Sequence, residues 1–181
     1  MNKYYRKPFS LIFMVTLIVI SCAANVSSQG HTCPMMQQHQ DHKDHHANVN
    51  ERGDKAMGFA HEKTTHHFTL LKDGGAIEVL ANAAQDTESR EQIQMHLTHI
   101  AKAFTEGDFN LPMFIHDQTP PGVEVMKARR AKISYKYEER EHGARVRIST
   151  TDKQALAAIH DFLRFQISDH QTGDSSEISN R

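Results

Sequence analysis

The sequence predicts an α+β fold: a four-stranded antiparallel sheet covered on one face by two main helices, in the order ββα–α–ββα. Three observations predict it. Two pairs of β-patterned runs each enclose a turn. Each pair leads into a run of helical period. The four strands then share one apolar face, which two amphipathic helices suffice to cover.

His67-Phe68-Thr69-Leu70 alternates, Lys72-Asp73-Gly74-Gly75 turns the chain, and Ala76-Ile77-Glu78-Val79-Leu80-Ala81 returns as a second strand. Two such runs around Asp-Gly form a hairpin signal. Over 87–106 the period becomes helical, with Ile93, Leu97, Ile100, Ala101 and Phe104 on one stripe. Thr87, with Arg90 and Glu91 behind it, is an imperfect cap, and Gly107 closes the helix. Asn110 to Asp117 reads as linker. Thr119-Pro120-Pro121-Gly122 opens a short helix that runs to Lys132. Ile133, Tyr135 and Tyr137 alternate, Glu141-His142-Gly143 turns, and Val146 and Ile148 alternate again. Thr151-Asp152 caps a last helix with the stripe Ala155, Leu156, Ile159, Phe162 and Leu163. The two halves also match in outline. Gly75-Ala76-Ile77-Glu78-Val79 parallels Gly143-Ala144-Arg145-Val146-Arg147, and Met95-His96 parallels Ile159-His160. An internal duplication would make His96 and His160 equivalents.

At 181 residues the chain is long enough for one domain and little more. A mean hydropathy of −0.60 excludes a polytopic membrane protein. The formal charge of −1 removes the basic excess that a non-specific nucleic-acid binder needs to displace counterions. Two Cys exclude a disulfide-dense scaffold and a four-thiolate metal site. The unusual quantity is His, at 14 residues.

Lys3, Arg6 and Lys7 precede an apolar run from Phe9 to Ile20, which predicts a signal peptide over residues 1–21. Val19-Ile20-Ser21-Cys22 resembles a bacterial lipobox. That resemblance implies lipidation at Cys22, with the protein anchored at the periplasmic face of the cell envelope, at the outer membrane. Ordinary cleavage further on, after Ser28, is the rival. Several acyl chains anchor durably where a single one binds marginally. Losing the three basic residues of the leader takes the formal charge from −1 to −4. With Cys22 lipidated or removed, Cys33 is a lone thiol: free, paired with another molecule, or bound to a metal.

Residues 22–58 show no sustained period and few branched apolar residues, so they read as a disordered tether, with residues 59–172 as the folded domain. Residues 173–181 read as a disordered polar tail. The tether carries His31, Cys33, Met35, Met36, His39, His42, His45 and His46. Thiol, thioether and imidazole suit copper and zinc, and a flexible chain gathers them without a preformed cavity. Thr32-Cys33-Pro34-Met35 resembles the short heavy-metal-binding run Tyr-Thr-Cys-Pro-Met-His-Pro of copper-exporting pumps and efflux proteins. Here His31, Met36 and Gln37 replace its first, sixth and seventh positions.

Within the domain, His96 and His99 lie three apart on one helix, but His99 points mostly to solvent. His96, His116 and His160 together would make a three-imidazole site. His116-Asp117, His160-Asp161 and Asp169-His170 each set a carboxylate beside an imidazole, although adjacent residues on a helix diverge by about 100°. Strand alternation sends His66 and His67 to opposite faces. No phosphate-binding glycine loop, nucleophile elbow or His-Glu-x-x-His run is present.

From Met57 to Asp174 the chain resembles a family of small exported proteins of Gram-negative bacteria. The matching runs are Lys63-Thr64-Thr65-His66-His67-Phe68, Asp73-Gly74-Gly75-Ala76-Ile77, His96-Leu97-Thr98-His99-Ile100, His116-Asp117-Gln118-Thr119-Pro120-Pro121-Gly122 and Ile159-His160-Asp161-Phe162-Leu163-Arg164-Phe165-Gln166. The resemblance implies no defined activity. Some members carry the name aspartate carbamoyltransferase. That enzyme has two α/β domains and a Ser-Thr-Arg-Thr phosphate loop, and neither is present here, so the activity is disfavoured.

The sequence therefore predicts a lipid-anchored envelope protein that binds a transition metal, copper before zinc. The tether would supply one set of ligands, and His96, His99, His116 and His160 a second. The alternatives are a non-catalytic module that docks an envelope protein, and a small enzyme of undefined reaction.

Overall fold

The computed structural model describes residues 34–180, with side chains from Lys43 onward. The elements in chain order are α1 (Pro34–Met57), β1 (Thr64–Leu71), β2 (Gly74–Ala81), α2 (Thr87–Glu106), α3 (Asn110–His116), α4 (Val123–Ala128), β3 (Ile133–Arg140), β4 (Gly143–Thr150) and α5 (Lys153–Asp169). The sheet is antiparallel throughout, in the order β1-β2-β4-β3. This is the α+β architecture that the two hairpin patterns and two helical stripes predict.

The two hairpins are related by a pseudo-twofold between the central strands, where Ile77 pairs with Val146. Phe68, Leu70, Ile77, Val79, Val146 and Ile148 are all buried on one side of the sheet. There α2 packs chiefly on β4 and β3, and α5 on β1 and β2, so each helix covers the other half's hairpin. Between them Phe109 stacks on Phe104, with ring centroids 4.3 Å apart, and meets Phe162 edge-on at 6.2 Å. Burying each such ring stabilises the fold by roughly 1.5–3 kcal/mol. The opposite face is polar, where Glu138 accepts from Arg145 at 2.6 Å and Glu78 from Arg140 at 2.8 Å.

Asp152 caps α5 by accepting from Gln154 N and Ala155 N. The cap of α2 is Asp86, which accepts from Ser89 N, rather than Thr87. The run expected as linker forms α3, and the helix expected from Thr119 to Lys132 is the shorter α4; Asp117 and Gly122, at positive φ, separate the two. Aligning the helices on their aspartate caps sets Ile93 beside Ile159 and Leu97 beside Leu163. His160 then corresponds to Gln94, and His96 to Phe162. The histidines are therefore not equivalents. The side chains that do correspond repeat one contact across the pseudo-twofold: Gln94 Nε2 donates to Gly143 O at 3.4 Å and His160 Nε2 to Gly74 O at 3.0 Å.

The largest correction concerns residues 34–57. They form a helix, not a disordered tether, and its C-terminal half belongs to the folded body. Pro34 sits in the first turn, where its missing N–H costs nothing. Glu51 and Lys55 pair at i, i+4, and Gly58, at φ +79°, ends the helix. His46, Val49, Gly53 and Met57 share one face, and Val49 is fully buried. Arg52 Nε donates to Ile115 O at 2.7 Å, which ties α1 to α3. The tail is ordered as well. Asp174 accepts from Phe68 N at 2.8 Å, and Ser179 N donates to Leu70 O beside the edge of β1. No described helix is long and apolar enough to cross a membrane.

Candidate functional site

Four imidazoles from four elements meet under α1. Alternation along β1 turns His67 toward the C-terminal segment, where it donates through Nδ1 to Asp174 Oδ1 at 3.0 Å. His66 therefore faces the other way. Its ring lies parallel to that of His170, the residue that ends α5, with centroids 5.7 Å apart and 1° between planes. His96, on the flank of the α2 stripe, meets Phe59 edge-on at 5.6 Å. Phe59 also stacks on His66 at 6.3 Å. His116 closes the group from the end of α3, edge-on to His170 at 4.9 Å.

These four rings line a cavity of about 60 Å³ together with Met57, Gln166 and otherwise apolar side chains. A second cavity, of about 280 Å³, adjoins it beneath α1. Met57, His66 and His170 border both, and His46, Asn50, His61 and Thr65 help to line the larger one. Among the described residues no hydrogen bond engages the ring nitrogens of His66, His96 or His170.

Burial decides the charge of these rings. It pushes His66 down to about 4, reinforced by His67 and His61. It pushes His96 down to about 4, reinforced by His66 and His99. His170 is held well below the ordinary imidazole range by burial, then by His66, His116 and His46. All three are neutral at pH 7, and a neutral imidazole offers one nitrogen lone pair to a metal or a proton.

A polar chain buttresses the apolar cavity. Asp169 accepts from His45 Nε2 at 2.8 Å through one oxygen and from His116 Nδ1 at 2.5 Å through the other. The second nitrogen of His116 meets the side-chain amide of Gln166 at 3.0 Å. Gln166 is buried, and the other end of its amide finds no partner among the described residues. His116 is thus held by hydrogen bonds on both sides, unlike the other three rings. Among the described residues, no Ser, Thr or Cys lines the smaller cavity.

The structure does not bring His96, His116 and His160 together. His96 and His116 line the cavity, whereas His160 donates through Nε2 to Leu71 O and Gly74 O at 2.9 and 3.0 Å, holding the β1–β2 turn. His99 is exposed on α2. His45 and His46 lie on the docked half of α1, and His46 Nε2 approaches His170 O at 3.5 Å. Cys22, His31 and Cys33, with the expected signal peptide, lie outside the described residues, as do the side chains of Met35, Met36, His39 and His42. Among the described residues, no group of three His, Cys, Asp or Glu side chains is placed to hold a metal ion.

Sequence reasoning missed Met57, His66, Gln166, Asp169 and His170 as members of one site. A partial signal existed for His66, whose inward face follows from strand alternation. None existed for Met57, which sits at the end of a segment without apolar periodicity. Set against known proteins, the chain matches no family model, no curated protein and no solved structure.

Proposed function

We propose that this is a cell-envelope protein that binds a transition metal, copper before zinc, and that a lipid on Cys22 holds it at the membrane. The reading is carried by one observation. Uncharged imidazoles with unengaged nitrogens share a half-buried cavity with the thioether of Met57. Thioether and imidazole favour copper, and the soft donors expected from Cys33, Met35, Met36, His31, His39 and His42 point the same way. Burial also keeps protons from competing for the ring lone pairs near neutral pH.

Titration of the exported chain with Cu(I), Cu(II) and Zn(II), in competition with chelators of known affinity, tests the reading. The expected result is copper binding tighter than that of a synthetic peptide covering residues 31–46, with zinc weaker. Binding no tighter than the peptide, for every ion, would sink it. For the anchor, Cys22→Ser is expected to abolish palmitate incorporation in cells, and labelling that persists removes the lipid from the proposal.

A further inference from the structure

The geometry points to a specific copper site inside the folded body: Met57, His66 and His170 as an N₂S set for one monovalent copper ion, at the junction of the two cavities. The inference rests on the metal-binding reading and narrows it to a place, a ligand set and an oxidation state.

Position is the first argument. Met57, His66 and His170 border both cavities, so an ion lodged beneath α1 meets them together. They come from three separate places in the fold: the last residue of α1, the third residue of β1 and the residue that follows α5. Gly53 shapes the α1 wall for the thioether. A Cβ at that position would lie 3.1 Å from the Met57 methyl carbon, tighter than ordinary contact.

Chemistry is the second. The nearby carboxylates are already engaged. Asp54 holds His61 at 2.9 Å, Asp169 holds His45 and His116, and Asp174 holds Phe68 N and His67. Among the described residues no carboxylate lines either cavity to offset a divalent charge. In one cavity the solvation penalty of an ion scales with the square of its charge, so a monovalent ion is penalised by about a quarter as much as a divalent one. Zinc sites draw on three or four imidazole, thiolate or carboxylate ligands, and no such group exists among the described residues. Two imidazoles and a thioether suit Cu(I) instead.

Accessibility of the bound geometry is the third. The rings of His66 and His170 now lie parallel. Each turns about a broad terminal torsion, and no hydrogen bond to a described residue has to break for either to re-aim a nitrogen.

The test uses the exported chain with its N-terminal donors silenced: His31→Asn, Cys33→Ser, Met35→Leu, Met36→Leu, His39→Asn and His42→Asn. Anaerobic Cu(I) titration against a chromophoric chelator should still find one equivalent bound. Copper-edge absorption should show a sulfur neighbour. Adding Met57→Leu, which conserves volume and so leaves the fold intact, should remove that sulfur signal and weaken binding by at least about 10-fold, since even outer partners of metal ligands are worth that much. Met57→His should instead recruit Zn(II). If the silenced chain loses all copper while the parent binds it, the inference falls and the metal reading stands on the N-terminal segment. If neither chain binds copper, both fall. Retained binding that is indifferent to Met57→Leu and to His66→Gln also overturns the site.

Discussion

Acidification of the metal-free protein from pH 7 to pH 4 is expected to remove several kcal/mol of stability, through its histidines. His66 and His96 titrate at about 4 in the folded state, and His170 well below its ordinary range. In the unfolded chain all three return to about 6.5. Between those values the unfolded state binds protons that the folded state refuses. Stability therefore falls as pH drops through this window and is complete above 6.5. Each imidazole contributes a slope of up to about 1.4 kcal/mol per pH unit. The rings raise one another's penalty, so the total is smaller than three independent terms. It is still a large part of a stability that is typically about 5–15 kcal/mol. The capping carboxylates Asp86 and Asp152 act in a separate, lower window, because backbone N–H bonds hold them below their ordinary 3.8. Urea unfolding midpoints at pH 7, 6 and 5, with chelator present, measure the slope. His66→Gln combined with His170→Gln should flatten it. Identical midpoints at pH 7 and 5 would show that the rings take up protons in the folded protein as readily as in the unfolded chain.

The fold was legible because its signals are local. Asp73-Gly74 between alternating runs, the Ile93–Leu97–Phe104 stripe and the Asp152 cap each report an element without reference to the rest of the chain. The site was not, because its members are joined only by tertiary contact. His66 and His170 are separated by most of the domain in sequence, and Met57 enters from a segment whose single branched apolar anchor is Val49. That one residue, with Gly53 and two histidines on the same face, is too little for a hydrophobic period, yet enough to dock a helix once Arg52 and His45 find their partners. Disorder was the natural reading of a polar segment judged on its own burial capacity. It fails here because the surface that buries Val49 belongs to the domain. The apparent match of His96 with His160 failed for a related reason. Both follow an apolar residue in mid-helix, but only the caps fix the register, and the caps set them apart.

Gly122→Ala is expected to destabilise the protein by about 3 kcal/mol or more, at or above the top of the ordinary range for a single substitution. Two penalties coincide at this position. Its φ is +83°, where a Cβ costs roughly 1–2 kcal/mol. The added methyl would also stand 2.1 Å from Ala158 O and 2.9 Å from Ala158 C. Those are backbone atoms of α5, which cannot swing aside as a side chain does. The start of α4 thus lies directly on the last helix, in the segment that carries His160 and, further on, Gln166, Asp169 and His170. Forcing the two apart disturbs the Asp169–His116 bond and the His66–His170 stack along with the core. Gly58→Ala is the matched control, since Gly58 has nearly the same φ, +79°, and a Cβ there meets nothing within 4 Å. It should cost only the conformational part. The difference between the two variants in chemical denaturation isolates the close approach. Equal losses would mean that α4 and α5 separate freely, and that the backbone contact does not position the site.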